Sequence, residues 1–267
     1  MDTLGFFKYR NAWRFDGPPH QEPLLQASEW QALLKQGGLL VRNTYEFDQS
    51  EETPFWYVIK DRFEGLEELP QRVRNKIRHA ERYFEYRTVS YEQFMERVFP
   101  ILEDTFAHYK IHDRNMDCKV FSKYLEQCQQ KSFDYWGIFA KDTGQMVGFC
   151  TVNNWGDCCE YQYTGIVSRY LTGGYYPYYG LYHHLNRYYL ETLGFRYVSD
   201  GSRTITNHSE IHDYLIQNFK FRKAYCRLQV HYNWWMRILV KTLYPFRSLI
   251  PMPQVKAILF MESLTRE

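Results

Sequence analysis

Between Gly194 and Tyr232 the chain gathers side chains able to hold charge, bind a carrier and move a proton: Asp200, Arg203, Asn207 and Tyr214. Asp200 and Arg203 stand in a Ser-Asp-Gly-Ser-Arg segment at the carboxyl end of a strand pattern. From there a carboxylate and a guanidinium can orient an amine or a carboxylate substrate. Asn207 precedes Tyr214 by seven residues, and Asn218-Phe219 follow, so one helix carries an amide and a phenol at fixed offset. A helix with a buried Tyr214 and with Asn218 as a left-handed cap accounts for the same residues without any chemistry. Turns and salt bridges are likewise the competing account of Asp200 and Arg203.

Metal chemistry is not expected. His208 and His212 are four apart with Glu210 between them, an order unlike that of zinc proteases, in which the Glu would face away from a shared metal. His108 and His112 are also four apart, followed by Asp113, but no third ligand is identifiable. No Ser or Cys nucleophile motif, phosphate loop or dinucleotide fingerprint occurs.

The elements that must position these residues follow from periodicity. Phe195, Tyr197 and Ser199 alternate with Arg196, Val198 and Asp200, a strand spacing. Ile211, Tyr214, Leu215 and Asn218 recur on one helical stripe, and Cys226, Leu228, Val230 and Tyr232 restore alternation. Upstream, Phe84–Val89 reads as a strand, and Ser90 with Gln93 as a capping box before a helix that Pro100 should kink or divide. A second helix carries Val120, Phe121, Tyr124, Leu125 and Cys128. Strands at Tyr135–Ala140 and Gln145–Asn153 are joined by the turn Lys141-Asp-Thr-Gly144, a further strand covers Glu160–Val167, and a helix spans Leu181–Leu193 before Gly194. Earlier still come a short helix near Trp30–Leu34, strands at Leu39–Phe47 and Phe55–Ile59, and an amphipathic helix through Leu69, Val73, Ile77 and Ala80. The polar face of that helix bears Arg72, Arg74, Lys76, Arg78 and Arg82; it is either a solvated face or an anion site for a carrier phosphate, RNA backbone or lipid headgroup.

Composition narrows the class. A chain of 267 residues makes one large domain or two intimate ones, and a net charge of +2 is no polycation. The 24 tyrosines suit both cores and wet clefts. Six cysteines without a CxxC spacing, no signal-like N-terminus and no long apolar run indicate a reduced, cytoplasmic protein.

The order strand, two helices, three antiparallel strands, helix, strand, helix, strand resembles the GNAT N-acyltransferase superfamily, as does the Asn207, Tyr214, Asn218-Phe219 spacing, with Asn218 in place of the usual Gly. The resemblance implies a mixed, mostly antiparallel central sheet flanked by helices. It implies that the strand from Glu160 to Val167 splays from its neighbour to admit a thioester carrier arm. On that reading Glu160 is the general base and Tyr214 protonates the departing thiolate. Ile166, Val167, Gly173, Gly174 and Asn207 contact the carrier, and Asp200 and Arg203 hold the substrate. The turn Arg169-Tyr-Leu-Thr-Gly-Gly-Tyr-Tyr-Pro-Tyr-Tyr-Gly180 lacks the family's glycine spacing and is filled with aromatics. This departure fits the Fem-type aminoacyltransferase and BioF2-like branch, which the run Tyr57-Val-Ile-Lys-Asp61 followed by LPQRVRNKIRHAERY also resembles. Those proteins carry two GNAT-like subdomains, and here the first would be reduced.

The expected organisation is a reduced α/β subdomain at 1–82, a GNAT-like domain at 83–233 and an apolar, basic helical extension at 234–267. The expected reaction is transfer of an acyl group from acetyl-CoA or another acyl-CoA to a small-molecule or peptide amine. Aminoacyl-tRNA is the alternative donor, although the absence of a long coiled-coil hairpin argues against nucleic acid. A non-catalytic binding protein of the same fold is the competing class. The run Trp234–Ile250 docks on the protein's own core or makes peripheral contact with a membrane.

Overall fold

The computed structural model describes residues 5–9, 11–23, 25–108, 118–129, 132–205 and 210–266. In chain order the first elements are β1 (Phe6–Tyr9), β2 (Ala12–Phe15), α1 (Ala27–Lys35), β3 (Leu40–Gln49), β4 (Phe55–Lys60), α2 (Gln71–Tyr83) and β5 (Phe84–Val89). Next come α3 (Tyr91–His108), α4 (Cys118–Gln129), β6 (Phe133–Ala140), β7 (Met146–Asn154), β8 (Cys158–Ile166), α5 (Arg169–Thr172) and α6 (Pro177–Asn186). A π-helical turn (Arg187–Thr192) leads to β9 (Tyr197–Ser202), α7 (Glu210–Phe219), β10 (Arg222–Tyr232), α8 (Trp234–Leu243) and α9 (Pro253–Ser263). Asn207, His208 and His112, all named above, lie outside the described residues.

The elements form two compact units. One comprises Met1–Val58, Ser202–Ile211 and Lys223–Glu267, and the other Ile59–Gly201 and His212–Arg222. This division differs from the expected 1–82, 83–233 and 234–267 partition. The C-terminal helices join the first unit because Met236, Val240 and Leu259 share a core with Leu39 and Tyr232. In the first unit the hydrogen-bonded order is β1-β2-β3-β10-β4, and in the second it is β9-β8-β7-β6-β5. Pairing is mostly antiparallel; β2–β3 and β8–β9 are parallel. The mixed, mostly antiparallel GNAT-like architecture is therefore present.

In the second unit, helices α3 and α4 cover one face of the sheet. Phe94, Val98, Leu102, Phe121 and Leu125 meet Tyr135, Phe139 and Phe149 there in one buried cluster. The capping box at Ser90 forms as expected: Gln93 N donates to Ser90 Oγ at 3.2 Å and Ser90 N to Gln93 Oε1 at 3.5 Å. Pro100, by contrast, does not divide α3, which runs unbroken from Tyr91 to His108. Pro100 and Glu96, whose carbonyl loses its partner, are both on the exposed face, so water satisfies the freed group.

Two further expectations near α7 need correction. Ile211 is 39% exposed while His212 is 2% exposed, so the buried stripe is rotated by one residue. Asn218 is not the left-handed cap; Lys220 takes that conformation at φ 61°, and Asn218 Nδ2 instead donates to the Tyr214 carbonyl at 2.8 Å. Among the described residues no helix is long and apolar enough to cross a membrane.

Candidate active site

Parallel pairing of β8 with β9 is brief. Its register pairs are Cys158–Tyr197, Cys159–Val198 and Glu160–Ser199, after which β8 continues to Ile166 and β9 to Ser202. Beyond Glu160 no register pairs join the two strands, at the position where the resemblance expects a fork. On its other edge β8 pairs with β7 over its whole length, with a register shift that leaves Gln162 between Tyr161 and Tyr163. A shift of this kind bends the strand and increases its twist.

Acidic groups stand where the pairing ends. Glu160 accepts a hydrogen bond from Gln162 Nε2 at 2.5 Å. Its carboxylate lies over the next turn of β9: a Cβ placed on Gly201 would be 3.7 Å from Glu160 Oε1. Gly201 has φ +85°, and its N–H is held by Ser199 Oγ at 3.0 Å. Ser199 shares a register position with Glu160, so the alternation of β9 turns Asp200 to the opposite face.

There Asp200 meets α7. His212 Nε2 lies 3.6 Å from Asp200 Oδ2 and 3.2 Å from the Asp200 carbonyl oxygen. Burial, reinforced by the nearby Glu160 charge, holds the Asp200 carboxyl well above the usual carboxylate range. Burial also holds the His212 imidazole below its ordinary value. Both groups are pushed toward their neutral forms, an environment suited to passing a proton. His212 is the functional candidate that sequence reasoning dismissed, because the histidines were judged only as metal ligands. A helical stripe drawn through His212 instead of Ile211 would have found it.

Tyr214, expected as the proton donor, packs in an aromatic layer between α6 and α7. Its ring centroid is 5.4 Å from that of Tyr179, 6.2 Å from Tyr182 and 5.8 Å from Phe219. The hydroxyl is buried beside Tyr179, and burial pushes its pKa far above that of a free phenol. Ile166 is fully buried and Val167 packs on the α3/α4 core. Arg203 belongs to the first unit. Its guanidinium donates to the Pro54 carbonyl and lies against the Trp56 and Phe260 rings.

The loop after β8 is tied to α3, since Ser168 N and Oγ both donate to the Asp104 carboxylate. Gly173 closes α5, Gly174 has φ +73° with nothing within 4 Å of an added Cβ, and Tyr176 is left-handed at φ 57° before Pro177 opens α6. Lys76 of α2 donates to Tyr179 Oη at 3.1 Å and lies 4.9 Å from the Tyr176 ring centre. An open glycine turn, a helix start and a lysine together suit the anionic part of a carrier.

No protein-family model matches this chain, and no curated protein is similar to it in sequence. Solved structures do share its fold. FemX superposes with a TM-score of 0.58 at 9% identity, covering 89% of this chain and 85% of its own. L-PGS from Bacillus licheniformis gives 0.52 at 13% identity, covering 98% and 85%. The DUF2156 C-terminal domain of a protein assigned as lysylphosphatidylglycerol synthetase, from Agrobacterium fabrum, gives 0.50 at 11%, covering 89% and 82%. The chain has a GNAT-like fold, in the form shared by FemX, L-PGS and that DUF2156 domain.

Proposed function

We propose that this protein is an acyltransferase that moves an acyl group from a thioester carrier such as acetyl-CoA to a small-molecule or peptide amine. The observation that carries the reading is the β8/β9 fork with Glu160 at its apex and the Asp200–His212 pair beside it. Amide formation requires the acceptor amine to lose a proton as its nitrogen bonds to the carbonyl carbon, and the leaving thiolate to gain one. On this reading Glu160 accepts the first proton, and Tyr214, whose hydroxyl burial keeps protonated, supplies the second. Asp200 and His212 orient the amine and relay its proton. Gly174, Lys76 and the start of α6 hold the carrier's anionic part.

The test is release of free thiol from acetyl-CoA in the presence of a panel of primary amines, followed with a thiol reagent. Turnover by the wild type that falls at least a hundredfold in Glu160→Gln supports the proposal. No binding of acyl-CoA from short to long chain at millimolar concentration removes that donor.

The resemblance of the run from Tyr57 through LPQRVRNKIRHAERY to Fem-type aminoacyltransferases favours a second donor, an aminoacyl ester, and charging the same assay with aminoacyl-tRNA distinguishes it. A membrane-associated setting is favoured by α8 and the turns after it. Trp234 is 76% exposed, Ile238 59%, Phe246 57% and Leu249 77%, with Arg237, Lys241 and Arg247 among them. Apolar side chains interleaved with cations are what an interfacial segment presents to anionic lipid.

A further inference from the structure

In the first unit, β2 and β3 pair in parallel with Arg14 directly opposite Arg42. Neighbouring strands lie about 4.8 Å apart, so two guanidinium-bearing stems rise side by side from the sheet. Like charges in this relationship repel. Among the described residues neither arginine forms an ion pair. The charged or ionisable groups acting on Arg42 are Arg14 and Tyr57, with no carboxylate among them. Glu22 accepts from the Phe47 amide at 3.2 Å.

Both arginines line one recess of about 420 Å³, counting its solvent-filled mouth. Thr44, Tyr57, Asn43 and Ser202 supply further hydroxyl and amide groups to its wall, and no Asp or Glu contributes. Thr44 Oγ1 and Tyr57 Oη are 3.3 Å apart, and the Thr44 hydroxyl, with one donor and two acceptor positions, retains capacity for another partner. Arg42 is half-buried, and desolvation by burial, followed by the Arg14 charge, draws its guanidinium down to about 9. A guanidinium nevertheless stays charged at neutral pH, so the recess holds two positive charges without compensation.

We infer that the Arg14/Arg42 recess is a binding site for a phosphate monoester or inorganic phosphate, gripped by both guanidiniums and by the hydroxyls of the wall. A cation is repelled by the two guanidiniums and meets no carboxylate in the wall, and a neutral molecule leaves the repulsion in place. A carboxylate offsets one charge of the two. A phosphate monoester carries nearly two negative charges at neutral pH and offers oxygens to both forks at once. The site consists only of first-unit residues, and its existence does not depend on the transferase reading.

The test uses the full chain and inorganic phosphate, with chloride at matched ionic strength as the control. A saturable rise in melting midpoint with phosphate, weakened at least tenfold in apparent affinity by Arg42→Gln and separately by Arg14→Gln, supports the site. Removing one of two opposed charges also relieves repulsion, so each variant should melt no lower than the wild type without phosphate. The site is overturned by an absent or non-saturable phosphate effect, or by one that survives in both variants. Phosphatidylcholine vesicles with and without phosphatidic acid identify the source. A preference for phosphatidic acid that Arg42→Gln abolishes assigns the phosphoryl group to a lipid. Phosphate binding without that preference assigns it to a soluble ester, and either result supports the site.

Discussion

Asp200 and His212 come together through a helix turned by one residue from its apparent apolar stripe, placing an imidazole nitrogen 3.6 Å from a buried carboxylate oxygen. Burial raises the folded-state pKa of Asp200 above its ordinary 3.8. Ionising the group therefore costs folding energy at neutral and alkaline pH and costs none well below 3.8, where both states are protonated. Asp200→Asn should melt higher than the wild type at pH 8, with the difference shrinking toward pH 4, while thiol release in the amine assay falls by at least tenfold. A variant that melts lower at pH 8 would show that the carboxylate is a net structural asset.

His183 carries the opposite sign with pH. It is 5% exposed, and burial lowers its pKa to about 4 from 6.5. The unfolded chain takes up this proton first, so stability is full above 6.5 and is lost as pH falls toward 4. The loss attributable to this one group reaches on the order of 3 kcal/mol. Differential melting of wild type and His183→Gln between pH 7 and pH 4.5 should show a steeper fall for the wild type; parallel curves would exclude His183 as the cause.

For Tyr214 the packing and the chemistry separate cleanly. Phenylalanine preserves the ring contacts with Tyr179, Tyr182 and Phe219 and deletes only the buried hydroxyl. Tyr214→Phe should keep the wild-type melting midpoint and carrier affinity and lower kcat by tenfold or more. Unchanged turnover would take Tyr214 out of the mechanism and leave it as core.

The contrast between what was legible and what was not has a physical basis. Strand β5 was readable to the residue because Phe84 to Val89 is bounded by a helix end and a capping box, both local signals. The fork expected along the strand from Glu160 to Val167 came from the resemblance to the GNAT superfamily, not from any local pattern in the chain. Asp200 was singled out by its position at a strand end. His212 was missed because a one-residue rotation of an amphipathic helix barely alters its periodicity, and burial of α7 is decided by the sheet beneath it. Pro100 misled because its effect depends on whether Glu96 faces water. The Arg14–Arg42 pair was invisible for a deeper reason: it arises from a parallel register between strands separated in the chain by α1, which no local pattern encodes.

The exposed face around α8 makes a spectroscopic prediction. Trp234, at 76% exposure, should emit as a solvated indole and shift to the blue when vesicles containing anionic lipid are added. High salt should reverse the shift, because attraction by Arg237, Lys241 and Arg247 is screened over about 10 Å at 0.1 M. Ile238→Ser with Leu249→Ser should reduce co-sedimentation with the vesicles, and equal sedimentation by that double variant would exclude this face as the contact.

Gly180 tests how tightly α6 is pressed onto β5. A Cβ added there would sit far inside contact distance of the Tyr86 ring, and Tyr86 cannot swing clear. Its ring stacks on His184 at 4.9 Å and its hydroxyl donates to the Pro177 carbonyl at 3.2 Å. Forcing extra volume into such a junction typically costs about 1–3 kcal/mol. Gly180→Ala should therefore lower the denaturation midpoint despite alanine's higher helix propensity. In a Tyr86→Leu background, where the obstructing ring is gone, the same substitution should cost little or stabilise. A double-mutant cycle measures that coupling directly. Equal cost in both backgrounds would mean that the α6 backbone, not the Tyr86 ring, sets the requirement for glycine.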